Sequence, residues 1–61
     1  MKKIRTLREA KGWTQGMLAG KLGVTESTVC NYEKGKREPD IETLKKLAAA
    51  LGCTIDELVK S

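Results

Sequence analysis

Apolar residues recur at helical spacing in five separate stretches of this chain, most of them bounded by a capping residue, a glycine or a polar break. Ile4, Leu7 and Ala10 form one face of a first helix that ends near Gly12, with Arg5, Arg8, Glu9 and Lys11 elsewhere around it, and Trp13 stands at the joint. A second helix opens after Thr14, a candidate cap, and runs to about Leu22 with Leu18, Ala19 and Leu22 inward. The third spans about Glu26 to Lys34 and is closed by Gly35; Val29 and Tyr32 are its inward positions, and Val24 faces inward from the turn before it. Lys36, Arg37, Glu38 and Pro39 then make a polar connection, after which Asp40 caps a fourth helix. That helix has the clearest period in the chain, with Ile41, Leu44, Leu47, Ala48 and Leu51 on one face and Gly52 as the stop. Thr54, with Glu57 three residues later, is a capping box for a short fifth helix that offers Ile55, Leu58 and Val59.

The stretch from Gln15 to Lys34 carries the spacing of a helix-turn-helix. Two short helices approach this closely only where the first offers almost no side chain at the contact, and Ala19 meets that demand. Gly23 can take a positive φ without a Cβ penalty, ending one helix and turning the chain, so that Thr25 can cap the next. With the apolar positions inward, Glu26, Ser27, Cys30 and Asn31 lie along the outer side of the third helix. An exposed helix with short polar side chains is what a DNA major groove accepts. Gly16 and Gly20 run against the pattern: each costs on the order of 1 kcal/mol relative to alanine in a helix interior, less for Gly16 near the first turn. They read as weak points, not as a phosphate-binding loop.

Composition agrees with an all-α fold: leucine, alanine, lysine and glutamate are abundant, there is one proline, and no hairpin signal is present. Sixty-one residues make one domain, 1–61, which buries only about 60% of its unfolded surface. The net charge of +4 is unevenly spread. Residues 1–37 hold nine basic and three acidic side chains, a net +6, whereas residues 38–61 hold three basic and five acidic ones, a net −2. The positive half contains the exposed third helix, as expected if one face meets a polyanion.

Several chemistries are disfavoured. There is no histidine to act as a base, and the carboxylates fall at caps and exposed helix positions, so catalysis is not expected. Two thiols, Cys30 and Cys53, cannot complete a tetrahedral metal shell without carboxylates, and no metal or other cofactor is expected. Both cysteines fall within or beside helical patterns and read as free, partly buried thiols. Met1–Arg5 resembles the basic start of a signal peptide, but no apolar stretch follows it, and the longest apolar run, Leu47–Leu51, is too short for a membrane span. A cytoplasmic protein is the expectation. Trp13 reads as a lid on the core, and the inward place of Tyr32 argues against stacking on single strands.

From about Ile4 to Val59 the chain resembles the Cro/C1-type helix-turn-helix domains of phage-repressor-like and Xre-like bacterial regulators. Leu7-Arg8-Glu9, Gly12-Trp13-Thr14-Gln15, Leu18-Ala19, Leu22-Gly23-Val24-Thr25, Ser27-Thr28-Val29, Tyr32 to Pro39, Glu42-Thr43-Leu44 and Ile55-Asp56-Glu57-Leu58 carry the resemblance. It implies a compact, lambda-repressor-like five-helix bundle. Such a domain binds double-stranded operator DNA as a homodimer, in the cytoplasm on the nucleoid of a bacterium or on phage DNA. It further implies that the third helix occupies the major groove and that Gln15 touches a phosphate. Glu26, Ser27 and Asn31 would read base edges, Lys36 and Arg37 would approach the backbone, and Arg8 would pair with Glu33. The glycines of the second helix and Cys30 depart from the family pattern.

Each candidate also has a plainer reading. Asn31 can bond adenine N6 and N7 in bidentate fashion, or be a solvated helix residue. Ser27 and Thr28 can touch a base, a thymine methyl or a phosphate, or simply fill the first turn, and Thr25 joins the phosphate set from the cap. Glu26 is favoured by the helix macrodipole alone, by about 0.3–1 kcal/mol, and would repel phosphate unless it accepts from cytosine N4. The expected function is a transcriptional regulator, a repressor, on a palindromic operator. Its dimer contact would fall at the apolar C-terminal end, Ile55, Leu58 and Val59. The rival is a protein-interaction module such as an antitoxin or anti-regulator.

Overall fold

A computed structural model describes residues 1–60. Among them are five helices and no strand: α1 (Lys2–Ala10), α2 (Gln15–Leu22), α3 (Glu26–Lys34), α4 (Ile41–Leu51) and α5 (Ile55–Val59). Four of the five open on a side-chain cap. Thr14, Thr25, Asp40 and Thr54, all in extended backbone, accept from the N–H groups of Met17, Thr28, Thr43 and Glu57, and Thr54 with Glu57 completes a reciprocal capping box. Such caps satisfy amide donors that the helix itself leaves without partners, at about 1 kcal/mol each. α1 has no such bond at its start.

The core is a single cluster drawn from all five helices, with Ile4, Leu18, Val29, Leu47 and Leu58 fully buried at its centre. α2 and α3 pack against each other, Ala19 of α2 is buried in the core, and the chain between them turns at Gly23 with φ 71° and ψ 30°. The N–H of Val24 then donates to the carbonyl of Ala19 at 3.0 Å, closing the end of α2. Ala19→Leu is expected to overpack this crossing and lower stability by about 1–3 kcal/mol, read as a drop in the denaturation midpoint. An unchanged midpoint would mean that the crossing has room the buried alanine does not suggest.

Two apolar assignments made from periodicity are corrected. On α1 Ile4 and Arg8 are buried and Leu7 is half-buried against the core, whereas Ala10 is exposed. One helical turn separates Ile4 from Arg8, and the guanidinium occupies the inward place because α3 supplies it with a carboxylate. Ile41, the first residue of α4, is 65% exposed and lies outside the buried stripe of Leu44, Leu47, Ala48 and Leu51. At the C-terminal end Leu58 is fully buried, Ile55 half-buried and Val59 51% exposed, so Leu58 belongs to the domain's own core and offers no surface to a second chain. Gly20 faces open space, with nothing within 4 Å of where a Cβ would stand. No helix among the described residues is long and apolar enough to cross a membrane.

Candidate nucleic-acid interface

α3 buries Val29 and Tyr32, which turns the opposite side of the helix outward. Glu26 and Ser27 are exposed on its first turn, and Cys30 and Asn31 are half-buried one turn further on. Ser27 and Asn31, four residues apart, therefore share a face. Thr25 and Thr28 serve the helix end first. The Thr25 hydroxyl accepts from the Thr28 N–H at 3.2 Å, and the two hydroxyl oxygens lie 2.8 Å apart. Thr28 is half-buried and Thr25 exposed.

The far end of α3 sets the loop that follows. Gly35 adopts φ 76°, and the chain folds back so that the carbonyl of Asn31 accepts from the N–H groups of Lys36 at 3.0 Å and Arg37 at 3.4 Å. The carbonyl of Asn31 thus holds two exposed cations beside the face that Ser27 and Asn31 share. Pro39 is buried where the loop rejoins the core.

Behind this surface lies an ionic junction among α1, α2 and α3. Arg8 Nε donates to Glu33 Oε2 at 2.6 Å and Nη2 to Oε1 at 3.2 Å, in a bidentate pair whose side chains are 9% and 4% exposed. Arg8 Nη1 donates to the carbonyl of Trp13 at 2.6 Å, and Gln15 Nε2 donates to Glu33 Oε1 at 3.0 Å. Burial alone would push the Glu33 carboxyl up, but the hydrogen bonds from Arg8 and Gln15 and the Arg8 charge outweigh it and hold the group below its ordinary value. The hydrogen bond to Glu33 correspondingly raises Arg8. Among the described residues no buried side-chain nitrogen or oxygen lacks a partner. Gln15, expected at a phosphate, has one amide N–H committed inward; its second N–H is the one left for an external acceptor.

Trp13 was legible as a lid but not as a platform. Its ring carries two ammonium groups, Lys11 Nζ at 5.3 Å and Lys21 Nζ at 4.6 Å from the centroid. The flanking lysine two residues before it and the lysine at the end of α2 were the available signal, but only the turn at Gly12 brings both to one ring. Cys30 and Cys53 are free thiols, and burial pushes the Cys53 thiol up.

Two tightly crossed helices, the second with a polar outer face and a basic loop behind it, define a helix-turn-helix domain. The family model for helix-turn-helix domains matches residues 4–58, and the chain belongs to that family, in its Cro/C1-type branch. It is 41% identical over 58 residues to the SPbeta prophage-derived uncharacterized HTH-type transcriptional regulator YonR of Bacillus subtilis, covering 95% of this chain and 54% of that one. It is 44% identical over 57 residues to the cryptic phage CTXphi transcriptional repressor RstR of Vibrio cholerae, covering 93% and 51%. The chain thus spans about half the length of these relatives, which are named as transcriptional regulators. Among solved structures it is similar to the restriction-modification controller protein C.AhdI of Aeromonas hydrophila, with TM-score 0.85 and 38% identity over 93% of this chain and 86% of that one. The N-terminal DNA binding domain of SinR from Bacillus subtilis superposes with TM-score 0.86 and 30% identity, covering 97% and 87%.

Proposed function

We propose that the chain binds double-stranded DNA sequence-specifically as part of a transcriptional regulator, a repressor, working in the cytoplasm as a homodimer on a palindromic operator. The observation that carries this reading is Asn31. Its side chain stands on the outer face of α3 while its carbonyl fixes the loop bearing Lys36 and Arg37, so base reading and backbone binding share one support. The basic half of the sequence, net +6 over residues 1–37, and the regulators among its relatives support the same reading.

In this arrangement α3 lies in the major groove. Asn31 bonds an adenine edge, Ser27 and Glu26 meet the adjacent pairs, and Thr28 approaches through its methyl, its hydroxyl being engaged with Thr25. Gln15 through its second amide N–H, Thr25, Lys36 and Arg37 hold phosphates and set the register. Two copies related by a two-fold axis would place half-sites about 34–36 Å apart. Met17, Ile41 and Val59 are the exposed large apolar side chains among the described residues from which such a contact can be built.

Selection from a randomised duplex pool tests the reading. A two-fold symmetric motif is expected, blurred at one position per half-site by Asn31→Ala, at a cost of about 1–3 kcal/mol in discrimination. Arg37→Ala should weaken all duplexes alike and reduce the salt slope by about one. Enrichment of no motif, or association that ignores Asn31, Lys36 and Arg37 and survives moderate salt, would favour a protein partner instead. Sedimentation on a two-site duplex reports the dimer, and a monomer there would remove it.

A further inference from the structure

Gly16 is the second residue of α2, a position where a glycine weakens the helix, and its surroundings give it a use. A Cβ placed there would stand 2.9 Å from Glu26 Oε2 and 3.9 Å from Glu26 Cδ. The carboxylate of Glu26 therefore rests against the bare backbone of the first α2 turn, in the space a side chain at 16 would fill. Glu26 is itself the first residue of α3, so a single negative charge lies at the positive ends of two helices. It forms no hydrogen bond and no ion pair with a cation among the described residues. Nothing but these helix ends and the missing side chain keeps it there.

The first turn of α2 carries Gln15, and Thr25 caps α3 directly before Glu26; both hold phosphates in the reading above, and two anions cannot share the start of α2. We propose that Glu26 is a specificity gate: its carboxylate, resting in the gap at Gly16, opposes a phosphate at the start of α2 and yields where the groove offers a cytosine amino group. This rests on the DNA-binding reading above. On a duplex without that cytosine, the carboxylate either stays and repels the backbone or leaves without a new partner. Where cytosine N4 is within reach, the displaced oxygen accepts from it and the phosphate takes the vacated place. Glu26 thereby weakens non-cognate binding more than cognate binding, which is discrimination by penalty.

The test compares the full chain with Glu26→Gln, Gly16→Ala and the double variant on a selected operator and on a non-cognate duplex, with a repeat of the pool selection. Glu26→Gln is expected to tighten non-cognate binding roughly three- to tenfold, the scale of one like charge removed beside a phosphate. Its selected motif should lose one cytosine per half-site. Gly16→Ala, which fills with a methyl group the gap that carboxylate and phosphate would take in turn, should weaken operator binding, and should do so whether residue 26 is glutamate or glutamine. If the parent chain binds duplex DNA but Glu26→Gln binds non-cognate duplex no more tightly, or keeps the cytosine, the gate is overturned and DNA binding stands. If the parent chain binds no duplex at all, the DNA-binding reading fails and takes the gate with it.

Discussion

Glu33→Ala is expected to lower stability by about 3–5 kcal/mol, because it leaves the Arg8 guanidinium buried without its carboxylate. In a domain of this size each kcal/mol moves the melting temperature by about 4–8 °C, so the change approaches complete loss of the folded state. Arg8→Ala should do comparable damage from the other side. The double variant Arg8→Met with Glu33→Leu removes both charges and is expected to recover most of the loss, since a buried ion pair costs desolvation that well-packed apolar groups do not. Thermal and urea denaturation of the three variants check this. A double variant no more stable than Glu33→Ala would show that the geometry of the pair, rather than the orphaned charge, is what the core needs.

The same junction gives stability a direction in pH. The Glu33 carboxyl is held below its ordinary value in the folded chain, so the folded state binds its proton less readily than the unfolded one. Its contribution is therefore complete above the ordinary glutamate range and is lost as pH falls through the depressed folded value. Acid should weaken the parent chain more than the Arg8→Met, Glu33→Leu double variant. Equal acid sensitivity of the two would locate the loss in other carboxylates.

Leu58→Ala is expected to cost about 2–5 kcal/mol, the range for removing a fully buried leucine side chain without collapse of the space it leaves. α5 has five residues, too few to persist as a helix alone, and Leu58 is its buried residue. The capping box at Thr54 fixes where α5 starts but cannot hold it to the bundle. Denaturation gives the magnitude, and amide exchange gives its reach. Loss of protection confined to residues 55–59, with an unchanged midpoint, would mean that α5 detaches without taking the core with it.

What could be read from the chain alone follows from the range over which each feature is determined. Thr14, Thr25, Asp40 and Thr54 cap because of residues three positions away, and all four bonds are in place. The turn at Gly23 and the burial of Ala19 are likewise local consequences of a short connection. Periodicity finds a stripe but not where its neighbours stop, which is why Ile41 was placed inside and Ala10 with it. The Arg8–Glu33 contact joins residues 25 positions apart and entered only through resemblance, since neither residue's surroundings in sequence name the other. That Gln15 spends an amide hydrogen on Glu33, and that the Glu26 carboxylate rests on Gly16, depend on how α2 and α3 cross. Both were out of reach until the crossing was known.

Helix α3 keeps its two obligations on separate residues. Val29, Tyr32 and Glu33 anchor it to the core and to Arg8, while Glu26 and Ser27 are exposed and Asn31 shares the face of Ser27. Substitution on the outward set therefore leaves the anchoring contacts intact, and under the DNA-binding reading proposed above a lineage carrying this domain can change the operator it prefers by small steps, each of which still folds. The same separation makes the outward positions exchangeable in the laboratory, with the bundle serving as an unaltered holder for a new reading surface.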